Sequence, residues 1–430
     1  MKAQRLFGIM CLLLLAPAVV VLAEDFPWPG GMEPVRVSPY EEARRPSLAL
    51  ASGRTALAWY GADAHAWIYV SEWLGAWNSG ASVRTITTST ESKFPSLVYS
   101  GTQQLLVAWS EGAGPSYTNT VFHQEIGKPA PVAVMALVYG ETAPDQAVGP
   151  DALHLTFAAA QSKDLATQMD LYYVQRALNK TTWEAPTVVV TRSQVTGENV
   201  GGVWSPQMTL TQIDQVQTVH LVWEQTTATI SRTVWYVQGT KQGSAVVWQL
   251  PVRLSPAGQM AVRPNIVADA EDQIHVVWSE IAAGTEAIPT AQYINYRRLF
   301  NGVWSSPTRI DPDPISINTL FPTKSTPQVA VSGDQVCVAW HGYRGTSSSK
   351  EDIFLRCSRN GGLSWEYTFN VSEAADALSL FPTLQMDALK QVHVAWQNIT
   401  VGPVTYKGAF YRMGTVDFRV LLPVVLRNKG

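Results

Sequence analysis

Eight charged or titratable residues stand at two recurring places in this chain. Arg44, Arg45 and Arg263 stand within two residues before a strand-opening proline, and Glu111, Glu224, Glu280, His341 and Arg344 follow a tryptophan within a few residues. Guanidinium forks take carboxylates in bidentate fashion, glutamates accept ligand hydrogen bonds, and imidazole titrates near neutrality, so such a set can grip a polar ligand. No HExxH, paired CxxC or EF-hand loop accompanies it, and no Gly-rich phosphate cradle or G-x-S-x-G elbow occurs. His154, His220, His275 and His393 each sit three residues before an aromatic anchor, with Cys337 in that place once. One residue per repeat reads as packing, since four such residues would not converge on a metal.

The elements that carry these residues come from a repeat. A proline opening an apolar strand is followed by a tryptophan at Pro46/Trp59, Pro95/Trp109, Pro206/Trp223, Pro264/Trp278, Pro327/Trp340 and Pro382/Trp396. A seventh copy has Phe157 in the tryptophan place, with its opening strand left ambiguous. The aromatic anchors stand 48 to 66 residues apart, the period of a propeller blade. Each unit reads as four strands: a proline-led strand, a tryptophan strand, an aromatic strand such as YINYRRL, and an outer strand reached through a turn with a second tryptophan. A lone four-stranded sheet leaves both faces open, so the units must stack around an axis. The fold expected is all-β, a seven-bladed propeller over residues 24–415. Trp77, Trp183, Trp248, Trp304 and Trp365 join the six anchors as wedges between blades. Strand direction puts the loops after the tryptophans and before the prolines on one face, so the eight residues above form a candidate binding rim at the channel mouth.

Glu33 to Pro39, EPVRVSP, nearly copies Leu250 to Pro256, LPVRLSP, an outer strand. The amino-terminal segment is therefore expected to complete the last blade, that of Trp396, and to remove an open edge.

Met1 to Ala23 carries Lys2, Arg5 and an apolar run, the pattern of a cleaved secretory signal. No other stretch is long enough to span a bilayer. The formal net charge of −3, which becomes −5 without Lys2 and Arg5, argues against a nucleic-acid partner. An exported chain meets oxidising conditions, and Cys337 and Cys357 are the two cysteines left after the leader, so a disulfide between them is expected. The alternative is two buried thiols packed as small hydrophobes.

SRNGGLSWE (Ser358 to Glu366) resembles the Asp-box of sialidases and related BNR-repeat propellers, with Asn360 at the usual aspartate and Ser364 at the usual threonine. Asn301 to Trp304 is a degraded copy. RRPSLAL (Arg44 to Leu50) resembles the R-I-P motif of sialidases, whose arginine binds the substrate carboxylate, a role that would fall to Arg44. The resemblance, to secreted bacterial sialidase-like propellers, implies that the box stabilises a turn on the face opposite the active site. Sialidase action also needs two more converging arginines, a tyrosine nucleophile with its glutamate, and an acidic proton donor, none of which a motif assigns here. The family's catalytic domain has six blades against seven units here. The expectation is a secreted, monomeric, non-catalytic recognition propeller without a cofactor, binding an extracellular glycan or protein at its channel mouth; the competing class is a sialidase-like glycoside hydrolase or lyase. The tail from residue 416 to 430 departs from the repeat and resembles short C-terminal tails of some secreted bacterial proteins, either a sorting segment or a terminal strand or loose end.

Overall fold

The computed structural model describes residues 26–28, 31–38, 43–61, 67–73, 77, 83–87, 91–101, 103–112, 118–140, 142–165, 168–191, 201–226, 232–284, 289–311, 325–342, 351–373, 377–400 and 406–416. The leader read over residues 1–23, Arg344 and the tail beyond Val416 lie outside the described residues.

Seven antiparallel sheets, blades I to VII, stand around a central channel. Their inner strands are Arg44–Ala51, Ser92–Tyr99, Asp145–Val148, Val203–Ile213, Met260–Ala268, Gln328–Ser332 and Ala377–Met386. The ambiguous third unit thus opens at Pro144. Each inner strand pairs with an aromatic-anchor strand, from Arg54–Tyr60 in blade I to Gln391–Thr400 in blade VII. These second strands have neighbouring blades on both faces, which is why they read as unbroken apolar runs rather than alternating ones. Every residue of Gln335–Gly342 is buried.

Trp59, Trp109, Trp223, Trp278, Trp340 and Trp396 are all fully buried. Each withdraws roughly 150–250 Å² of aromatic surface from water, about 4–6 kcal/mol of transfer free energy. The second tryptophans have a different task. Trp248, Trp304 and Trp365 each pack edge-on against a tyrosine of the preceding blade, at 5.3 Å from Tyr173, 4.9 Å from Tyr236 and 5.1 Å from Tyr296. Trp77 meets Tyr411 of blade VII at 5.0 Å, so the ring of contacts runs on across the junction of chain ends. In blade II a histidine replaces the tyrosine, and His123 meets Trp183 at 5.2 Å.

The chain closes as the copied strand implies. Val35–Arg36 pairs antiparallel with Tyr406–Thr415 of blade VII, Val35 opposite Tyr411, just as Val252 lies opposite Tyr236 in blade IV. The Val37 and Ser38 amides donate to the Ala409 carbonyl. An earlier segment, Phe26–Pro27, joins blade VI in parallel against Thr368–Asn370, which the repeat does not foretell. Trp28 is buried behind it, and its indole donates to the Thr415 carbonyl. Cys337 and Cys357 lie directly opposite in register, Cα atoms 4.1 Å apart, and are joined as a disulfide.

On the face away from the channel mouth, the Ser358–Ser364 turn is stitched by its own side chains. Asn360 Oδ1 accepts the Ser364 amide and its Nδ2 donates to the Ser364 hydroxyl, each at 2.9 Å. Gly362 has φ +83°, and a Cβ there would come within 2.0 Å of the Tyr296 hydroxyl, so only glycine fits this docked turn.

Candidate functional site at the channel mouth

The inner strands begin with an irregularity that the sequence alone conceals. Arg45, Phe94, Ser205, Arg263 and Phe381 each immediately precede the strand proline, and each has φ between 44° and 57°. Strand pairing slips by one residue at each point, so these are five copies of one β-bulge. A left-handed non-glycine residue costs on the order of 1 kcal/mol, and the bulge re-aims the side chain it carries. Arg45, Phe94 and Phe381 thereby line the central cavity, of about 340 Å³.

Those three side chains form one unit across blades VII, I and II. The Arg45 guanidinium carbon lies 5.0 Å from the centroid of Phe94 and 5.0 Å from that of Phe381. Tyr60 supports Phe94 edge-on at 6.1 Å, and His341 supports Phe381 at 5.5 Å. A cation held between two ring faces keeps a fixed orientation.

The residue after the anchor tryptophan caps the bulge of the next blade. The Arg263 amide donates to Glu224 Oε1 at 2.8 Å, the Phe381 amide to His341 Nδ1 at 3.3 Å, and the Arg45 amide to Gln397 Oε1 at 3.5 Å. This explains where several rim candidates go. Glu224 is fully buried, its carboxylate shared by Arg232 at 2.6 Å and the Arg263 backbone. Glu280 is buried, ion-paired with Arg309 at 2.9 Å and bonded to Asn295 at 3.0 Å. Glu111 accepts the Trp109 indole N–H at 3.4 Å. His341 is buried, and desolvation, aided by the charges of Arg263 and Arg45, brings its pKa down to about 3, so it stays neutral as an acceptor. Arg44, paired in register with Tyr60, is not among the residues lining the cavity. Of the seven described rim residues, Arg45 is the one that lines the channel; Glu224 and His341 latch their blades to the next, and Glu280 is held by partners of its own blade.

Sequence reasoning missed Phe94, Phe381 and Asp145. The first two share Arg45's repeat position, so aligning the residues before each strand proline would have grouped them. Asp145 lines the cavity one position after Pro144, accepting the Ser96 hydroxyl at 3.1 Å and the Met208 amide at 2.8 Å. Among the described residues no cluster of three or more His, Cys, Asp or Glu could hold a metal ion.

No family model and no curated protein matches the chain. Solved structures do. An ulvan lyase of polysaccharide lyase family PL25, bound to -[GlcA(1-4)Rha3S]-, superposes with a TM-score of 0.55 at 12% identity over 90% of this chain and 94% of its own. The polysaccharide lyase Uly1 gives 0.56 at 7% identity over 89% and 91%. The NanB sialidase of Streptococcus pneumoniae gives 0.48 at 10% identity over 89% of this chain and 69% of its own. At these identities the likeness is one of fold: this chain shares the propeller architecture of the two polysaccharide lyases.

Proposed function

We propose that this protein is a secreted recognition propeller that binds a carboxylated extracellular glycan at its channel mouth. The observation that carries the reading is Arg45, presented by a strained bulge into the cavity and clamped between Phe94 and Phe381. A guanidinium takes a sugar carboxylate bidentately, while the aromatic edges beside it offer apolar surface to the C–H face of a sugar ring. Export rests on the leader pattern of Met1 to Ala23, monomeric state on the closed ring of blades, and the Asp-box reading on the Asn360–Ser364 stitching. The test is a glycan array followed by calorimetry with wild type and Arg45→Ala. Binding of acidic glycans over their carboxyl-reduced forms, weakened about tenfold or more in the variant, supports the reading. Equal binding of acidic and reduced glycans refutes it.

The fold likeness to two polysaccharide lyases favours a second reading, cleavage of an acidic polysaccharide at the same mouth. Incubation with acidic polysaccharides and detection of the ultraviolet absorbance of unsaturated uronate ends decides between the two. Turnover abolished by Arg45→Ala would promote the enzyme.

A further inference from the structure

Arg45 and Asp145 are the two charged side chains that line the central cavity among the described residues. They stand at successive depths: Arg45 is the residue before the strand proline of blade I, and Asp145 the residue after that of blade III. Two residues of strand advance about 6–7 Å, comparable with the span of one pyranose ring. One wall connects them, since Arg45 contacts Phe94, and Ser96, two residues on, donates its hydroxyl to Asp145.

The repeat supplies a control for why a carboxylate stands there. The residue after the strand proline takes an amide N–H from the next blade in three junctions. Ser47 Oγ accepts the Leu97 amide at 3.0 Å, Asn265 Oδ1 the Val329 amide at 2.9 Å, and Asp145 Oδ2 the Met208 amide at 2.8 Å. Neutral serine and asparagine make the same latch at the same distance. The charge of Asp145 is therefore surplus to the latch, and no basic side chain among the described residues pairs with it. An unpaired carboxylate in a narrow channel is costly unless it serves a ligand.

We infer that Asp145 is the hydroxyl-recognising group of the channel: a carboxylated sugar residue enters end-on, its carboxylate on Arg45 and its ring hydroxyls donating to Asp145. This rests on the glycan reading above and adds the orientation and the second determinant. Burial raises the Asp145 pKa to about 6, so the ionised acceptor is present above that pH and lost below it. The titratable groups on strands beside it are already engaged, Lys93 with Glu91 and His154 with Tyr173.

The experiment compares wild type, Asp145→Asn and Arg45→Gln for binding of a glucuronic-acid tetrasaccharide and its carboxyl-reduced counterpart, at pH 5 and 7. Asp145→Asn should fold as wild type, because asparagine already makes this latch at position 265, and thermal melting verifies it. The expected result is that Asp145→Asn weakens both sugars by a similar factor, about tenfold or more, and removes the loss of affinity between pH 7 and 5. Arg45→Gln should instead erase the preference for the acidic form. Unchanged binding by Asp145→Asn overturns the inference while leaving the glycan reading standing. Wild type that binds neither sugar overturns both. Should Asp145→Asn bind both sugars normally and lose only a thermal stabilisation by calcium chloride, the carboxylate holds a cation and the inference fails.

Discussion

The Nδ1 atom of His220 lies 2.7 Å from the hydroxyl of Tyr236, a buried bond between the anchor strand and the third strand of blade IV. The hydroxyl itself donates to Gln238, so the imidazole donates from Nδ1 and accepts the Thr211 hydroxyl at Nε2. The same bond joins His154 to Tyr173, His275 to Tyr296 and His393 to Tyr411, at 2.6 to 2.7 Å. In blade VI the disulfide occupies the histidine's place. Tyr236→Phe should therefore strand a buried imidazole N–H and lower stability by about 1–3 kcal/mol in urea unfolding, with little change in m-value.

Acid should destabilise the protein well before its surface carboxylates titrate. Desolvation depresses His123, His220 and His341 to about 3, and His154 to about 4. Their folded pKa values lie below the unfolded value of about 6.5, so the unfolded chain binds more protons and stability falls as pH drops below that point. Each such group can cost up to about 1.4 kcal/mol per pH unit. Asp145, raised to about 6, acts in the opposite sense between its unfolded value and 6, but it is one group against four. The melting temperature at pH 5 should be clearly lower than at pH 7.5, and His220→Gln should flatten that slope.

Cys337 and Cys357 close a loop with a sequence separation of 20. Loop-closure entropy then predicts a stabilisation of roughly 3 kcal/mol. Reduction with dithiothreitol should lower the melting temperature, and thiol titration of the unfolded, unreduced protein should find neither cysteine reactive.

Arg412 holds the two chain ends together. Buried in blade VII, it donates to the carbonyls of Trp28, Met32 and Val371 and pairs with Glu373 at 2.7 Å. Arg412→Ala should cost at least about 3 kcal/mol, because several buried carbonyls lose their donor together. Limited proteolysis should then release the segment preceding Ala43 before the blades unfold; intact protection of that segment would contradict the closure.

Phe381 and Phe94 orient Arg45 rather than bind an anion themselves. Phe381→Leu should leave stability within about 1.5 kcal/mol, since volume is nearly kept, yet weaken acidic-glycan binding several-fold. Phe381→Tyr should retain affinity, and calorimetry with both variants checks the pair.

Much of the architecture was legible because a blade is built from local signals. The proline openers, the buried tryptophans at one repeat position and the second tryptophans at another are properties of one strand or one hairpin, so reading blade by blade sufficed. Val35–Arg36 could be placed because its twin, Val252–Arg253, performs the same pairing elsewhere in the chain. Trp28 and Phe26–Pro27 had no twin to betray them.

The site was less legible for a physical reason. Glu224 and Arg45 look alike in sequence, each a charged residue beside an anchor or a proline. Whether such a charge meets solvent or an inter-blade latch depends on groups from neighbouring blades that local periodicity does not register. Sequence by itself determined seven blades, their axis, their wedges and the strand that closes them, since burial of an alternating or unbroken apolar strand has one solution. Tertiary structure alone decided that a left-handed bulge turns Arg45 into the channel between Phe94 and Phe381, that Glu224 and Glu280 turn inward to arginines, and that Asp145 faces the lumen, because each depends on backbone geometry and on side-chain partners that strand periodicity does not register.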